Sequence, residues 1–139
     1  ALRHNVDIRL DLAEGLPQVE ADAVQLQQVI LNLARNAIEA IDDTGVIEGR
    51  LRLATLRLPP GRVGILVTDS GPGIDETMQK SVFDPFFTTK AAGMGMGLPI
   101  CRSIVESFGG QLVLESSRPG ETTFRMALRA IDDSTPSGA

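Results

Sequence analysis

Leu26-Gln-Gln-Val-Ile-Leu-Asn-Leu-Ala-Arg-Asn-Ala-Ile-Glu-Ala40 decides how this chain folds. Leu26, Val29, Ile30, Leu33, Ala37 and Ile41 recur at the spacing of one helical face, so the stretch predicts an amphipathic helix lying on an apolar surface. Asp22, with Gln25 three residues later, has the form of a capping box at its start, and Asp42-Asp-Thr-Gly45 ends the run. The surface it needs comes from alternating segments on either side. Val6-Asp-Ile-Arg-Leu-Asp-Leu-Ala13 reads as a half-buried strand stopped by Gly15-Leu-Pro17. After the helix, residues 50–58 and 62–69 alternate around Pro59-Pro60-Gly61 and form a strand pair with a turn.

Residues 70–97 hold most of the Gly and Pro and predict a long irregular segment, a length that is usually functional or disordered. A second helix follows, with Cys101, Ile104, Val105 and Phe108 on one face, Pro99 in its first turn and Gly109-Gly110 as its stop. Residues 111–117 and 122–129 make a last strand pair around Pro119-Gly120, and residues 132–139 form a polar tail. The expected architecture is an α+β two-layer sandwich: a mixed five-stranded sheet with its helices packed on one face, occupying residues 1–131 as one domain.

Composition narrows the function. The 139 residues suit one domain, and 42% hydrophobic with 22% charged residues is ordinary for a globular one. A net charge of −5 without any basic block excludes a nucleic-acid partner. No apolar run reaches membrane-spanning length and no signal pattern opens the chain, so the expectation is a cytoplasmic domain, or a piece of one, making no membrane contact itself. The single cysteine, Cys101, excludes an internal disulfide and falls on an apolar stripe, the position of an inert thiol. His4 is the sole histidine and lies near the terminus, solvated.

Four groups of residues could carry chemistry. Lys90-Ala-Ala-Gly-Met-Gly-Met-Gly-Leu-Pro99 puts Gly93, Gly95 and Gly97 before a helix, where backbone N–H groups can hold phosphate or simply make a turn. Asn32 and Asn36 lie four apart on the first helix, beside its apolar stripe; they suit solvated amides or oxygen ligands to Mg²⁺. Asp69-Ser-Gly-Pro-Gly73 places a carboxylate at a strand end, either an ordinary turn or the floor of a pocket. Phe83-Asp-Pro-Phe-Phe-Thr-Thr-Lys90 combines aromatics able to anchor a loop with a lysine able to reach a terminal phosphate. A P-loop is excluded because no Gly-Lys-Ser/Thr follows the glycines, and a dinucleotide fingerprint because they do not follow a strand.

In this order the groups resemble the ATP-binding catalytic domain of sensor histidine kinases, in the superfamily shared with gyrase-, chaperone- and MutL-type ATPases. The helix resembles the N box, Asp69–Gly73 the G1 box, Phe83–Lys90 the F box, Gly93-Met-Gly-Met-Gly-Leu98 the G2 box, and Gly120-Glu-Thr-Thr-Phe124 the last, G3-like element. The wording of the boxes is closest to nitrogen- and oxygen-regulatory sensor kinases.

The resemblance implies a Bergerat-type ATP-binding fold, with ATP and Mg²⁺ as ligands. Asn36 would coordinate Mg²⁺, and Asn32 would contact phosphate or metal through water. Asp69 would accept from the adenine amino group, selecting ATP over GTP. Gly71 and Gly73 would let the backbone approach the base beside Ile74, and Thr122 or Thr123 would complete that pocket. Residues 70–96 would form the lid, with Lys90, Gly93, Met94, Gly95, Met96, Gly97 and Leu98 reaching the nucleotide. Arg35 and Glu39 would face the same site. Asn32 stands where the hydrolysing branches carry a glutamate base, and an amide cannot take that proton; this favours a kinase over an ATPase. The implied partners are the phosphoacceptor dimerisation domain of the same kinase and, indirectly, a response regulator. No phosphoacceptor box is visible around His4, so nothing in this chain is expected to receive the phosphoryl group. A serine kinase of the same superfamily, or an ATP-binding module without transfer, are the alternatives.

Overall fold

The computed structural model describes residues 5–42, 48–84 and 97–131. Its elements are β1 (Asn5–Asp11), α1 (Ala23–Asp42), β2 (Glu48–Leu58), β3 (Arg62–Asp69), a short 3-10 helix (Glu76–Ser81), α2 (Gly97–Ser107), β4 (Gln111–Arg118) and β5 (Glu121–Arg129). The cap on α1 forms as the sequence requires: the Asp22 carboxylate accepts the Gln25 N–H at 2.9 Å, satisfying one of the donors a helix start leaves open.

The strands pair in the order β1-β2-β3-β5-β4. α1 carries the chain back along the sheet, so β1 and β2 pair parallel. β2 and β3 pair antiparallel across the turn ending at Gly61, whose φ of +67° favours glycine. β5 lies between β3 and β4, antiparallel to both. The sheet is therefore mixed, as expected. Both helices pack on one face, α1 on β2 and β3, α2 on β4, and each helix packs on the other.

That face holds the core. Val29, Leu33 and Ala37 of α1 and Cys101 and Val105 of α2 meet Leu51, Val67, Leu112, Phe124, Met126 and Leu128 from the sheet. Full burial of a residue such as Val29 or Leu128 contributes about 1.5–3 kcal/mol each. Because side chains alternate along a strand, the cross-strand row Leu53–Val67–Phe124–Leu114 faces the helices. The row that ends this face is Leu51–Asp69–Thr122–Ser117. Apolar packing gives way to polar groups there, and that change marks the site.

Candidate functional site

β3 stops at Asp69, and the chain turns sharply over the end of the sheet. Asp69 and Thr122 are 6% and 4% exposed and, with Thr123, are the polar members of an otherwise apolar buried set. The Gly71 N–H donates to Asp69 Oδ1 at 2.8 Å. Only glycine fits at 71, since a Cβ would come within 2.8 Å of that oxygen and 3.1 Å of the Ala40 Cβ on α1. Gly73 has φ +85°, and a Cβ on it would lie 2.7 Å from the Arg118 carbonyl oxygen. The loop is clamped on both sides. Gly120 N–H donates to the Gly71 carbonyl at 2.9 Å; Arg50 N–H donates to Ser70 Oγ at 2.8 Å, and Ser70 N–H returns a bond to the Arg50 carbonyl at 3.0 Å. A buried carboxylate thus sits at the end of the sheet, held there by its neighbours.

α1 and α2 supply the other wall. Asn32, Asn36 and Glu39 share one flank of α1 by helical spacing, and all three are half-buried. The Asn36 side-chain nitrogen lies 3.8 Å from the point a Cβ on Gly97 would occupy, so the first residue of α2 stands directly against Asn36. One turn away, the Asn32 amide hydrogen-bonds to the Cys101 thiol, which also donates to the Val29 carbonyl at 4.0 Å. Burial pushes the Cys101 thiol above its ordinary pKa, and the Asn32 hydrogen bond opposes the shift only in part.

The native state holds the Cys101 proton more tightly than the unfolded chain, so this group's contribution to stability is present at neutral pH and is lost as the pH rises through the thiol range. At pH 8 the folded chain is expected to react with an aromatic disulfide reagent many-fold more slowly than the urea-unfolded chain. Equal rates would contradict the buried, protonated thiol.

Ile74 N–H donates to Ser117 Oγ at 2.8 Å, and Leu98 and Ile74 pack against the core beside the site. Phe83 anchors the described end of the intervening segment. Its ring meets Phe124 edge-on at 6.1 Å and 84°, with the Arg102 guanidinium 5.0 Å from its centroid.

Most of the expected residues come together. Asn36, Gly97 and Leu98 line one side, and Asp69, Gly71, Gly73, Ile74 and Thr122 the other. Arg35 is exposed on α1, three residues from Asn32 and four from Glu39. Thr123 pairs with Thr68, and their hydroxyls lie 2.9 Å apart on the sheet face opposite the helices, because alternation turns it away from Thr122. Lys90, Gly93, Met94, Gly95 and Met96 lie outside the described residues, as do Phe86, Phe87, His4 and residues 132–139. Sequence reading missed Ser117, whose hydroxyl bonds both Ile74 and Thr122.

Among the described residues no group of three or more His, Cys, Asp or Glu could hold a metal ion. A cation here would take the hard amide oxygen of Asn36 together with oxygens of a ligand, a donor set that suits Mg²⁺. No described helix is long and apolar enough to cross a membrane.

Residues 21–131 match the family model for histidine kinase-, DNA gyrase B- and HSP90-like ATPases. The chain is 41% identical over 135 residues to the sensor protein FixL of Bradyrhizobium diazoefficiens, covering 96% of this chain and 26% of that protein. It is 40% identical over 123 residues to the sensor histidine kinase ZraS of Escherichia coli strain K12, covering 88% and 25%. It thus spans about a quarter of these relatives' length. The nucleotide-free catalytic domain of histidine kinase ThkA superposes with a TM-score of 0.77 at 34% identity, covering 91% of this chain and 80% of that one. ThkA has also been solved in complex with the response regulator protein TrrA, where it matches with a TM-score of 0.72 at 31% identity, over 91% of this chain and 34% of that one. With that family matched over most of its length and its fold shared with a kinase catalytic domain, the chain belongs to the histidine kinase-, DNA gyrase B- and HSP90-like ATPases, as an ATP-binding catalytic domain of the sensor histidine kinase type.

Proposed function

We propose that this domain binds Mg-ATP over the Leu51–Asp69–Thr122–Ser117 row and transfers the γ-phosphoryl group to a histidine on the helical dimerisation domain of its own kinase. The observation that carries this reading is the opposition of two polar walls: a buried acceptor at Asp69, and Asn36 set against the start of α2. The adenine amino group donates to Asp69 at the floor, Gly71 and Gly73 admit the base edge, and Thr122 completes the pocket. The phosphates extend toward α2, whose first N–H groups point at them. Asn36 holds Mg²⁺ through its amide oxygen, and the ion when bound neutralises charge on the phosphate oxygens. Asn32 contacts phosphate or metal through water. Lys90 and residues 93–96 supply further phosphate contacts in this reading.

Phosphoryl transfer needs positioning and charge neutralisation, which these residues can supply. Hydrolysis needs a base for water. At the position of that base the chain has Asn32, whose amide takes no proton and is engaged by Cys101. A response regulator would be the next acceptor in turn; a relative, ThkA, assembles with the response regulator protein TrrA.

Calorimetric titration of the chain tests the binding half of the proposal. ATP with Mg²⁺ is expected to bind at least about tenfold more tightly than GTP with Mg²⁺, since a carboxylate cannot accept from the guanine carbonyl. Equal affinities would overturn the assignment of Asp69 to the base.

A further inference from the structure

The Ser117 hydroxyl touches both the Asp69 loop and Thr122. Its Oγ accepts the Ile74 N–H at 2.8 Å and lies 2.9 Å from Thr122 Oγ1. Gln79 Nε2 joins the same node, donating to the Ile74 carbonyl at 2.9 Å and to the Ser117 carbonyl at 3.4 Å. Ser117 faces inward only because β4 is irregular. Leu114 pairs with Phe124, but Ser116 pairs with Thr123 and Ser117 with Thr122, so one extra residue, a bulge, lies between. Strict alternation from Leu112 and Leu114 would have turned Ser116 inward instead.

A hydroxyl has one hydrogen to give and two lone pairs to receive with. With one lone pair of Ser117 taken by Ile74, the Ser117–Thr122 contact can run in two directions. If Thr122 donates, Ser117 receives twice and its own hydrogen goes unused in the node, while Thr122 shows the ligand only an acceptor. If Ser117 donates, its hydrogen is used and Thr122 keeps its own hydrogen for the ligand. We propose that Ser117 is a positioning residue for base recognition: it donates to Thr122, so that Thr122 presents a hydrogen to the ring nitrogen N1 of adenine while Asp69 accepts from the neighbouring amino group. Acceptor beside donor matches the adenine edge and mismatches guanine, whose N1 carries a hydrogen and whose O6 accepts. This inference rests on the placement of adenine over Asp69 and Thr122 given above.

Two ATP analogues separate the parts. The 1-deaza analogue lacks N1 and keeps the amino group; the purine riboside triphosphate lacks the amino group and keeps N1. Affinities of the full chain, Ser117→Ala and Thr122→Val are measured for ATP and for both analogues, with melting curves confirming a folded sample. Ser117→Ala is expected to weaken ATP and the purine riboside triphosphate by about two- to tenfold and to leave the 1-deaza analogue unchanged. Thr122→Val should show the same pattern. A Ser117→Ala penalty equal across all three ligands makes the residue merely structural and overturns the proposal. If Thr122→Val shows the pattern and Ser117→Ala binds all ligands as the unaltered chain does, the Ser117 inference fails and the adenine reading stands. If the unaltered chain binds ATP and both analogues equally well, the adenine reading itself fails, and Ser117 with it.

Discussion

Asn36→Ala is expected to lower the affinity for ATP in the presence of Mg²⁺ by about a hundredfold or more, because even groups that only support a metal ligand cost about 10–100-fold when removed. The fold should survive. Asn36 is half-buried at the edge of the α1 stripe, and alanine is the better helix former by several tenths of a kcal/mol. Two readouts isolate the metal. Circular dichroism and the melting curve should match those of the unaltered chain, and in chelator the two proteins should bind ATP equally weakly. Gly97 sharpens the expectation: the start of α2 stands against Asn36, and truncation removes the amide at that contact. An unchanged Mg-ATP affinity in this variant would overturn the metal assignment.

Asp69→Asn should cost nearly as much, and its cause is a shortage of acceptors. Gly71 N–H already occupies Asp69 Oδ1 at 2.8 Å. An asparagine has a single oxygen, so satisfying Gly71 leaves its NH₂ toward the base, donor against donor. Turning the amide over instead strands the Gly71 N–H in a buried loop. Hydrogen bonds to charged groups are worth about 1.5–3 kcal/mol, which corresponds to about 10–150-fold in ATP affinity. The same NH₂ is a fitting partner for the guanine O6, so the ratio of GTP to ATP affinity should rise. Competition titration measures that ratio directly, and a ratio unmoved by the substitution would contradict the role of Asp69.

The parts of this site that were legible in the sequence are those fixed by local pattern. The stripe from Leu26 to Ile41 placed Asn32 and Asn36 on one flank because a helix has one period, and the structure keeps them there. Asp69 was legible only as a strand-end carboxylate, an ordinary turn or the floor of a pocket, and pairing with Thr122 is what sets it on the inner face. Strand order was not legible. Nothing in residues 111–129 announces that β5 slips between β3 and β4, and that insertion is what sets Thr122 beside Asp69. Thr122 and Thr123 looked equivalent as neighbours, and only register separates them onto opposite faces. Ser117 was hidden for a sharper reason. Period-2 reading from Leu114 selects Ser116, and the bulge reverses that choice with no glycine or proline to signal it. Cys101 read correctly as a buried thiol, yet its hydrogen bond to Asn32 joins two helices and has no local trace.

Where the γ-phosphoryl group goes tests the proposed kinase activity most directly. The chain should be mixed with γ-labelled ATP, Mg²⁺ and the separately produced helical dimerisation domain of its parent kinase. The expected result is label on a histidine of that domain, stable in alkali and lost in acid, absent when the dimerisation domain is omitted and absent with Asn36→Ala. Acid-stable label on serine, label released only as free phosphate, or no transfer from a chain that binds Mg-ATP would contradict it.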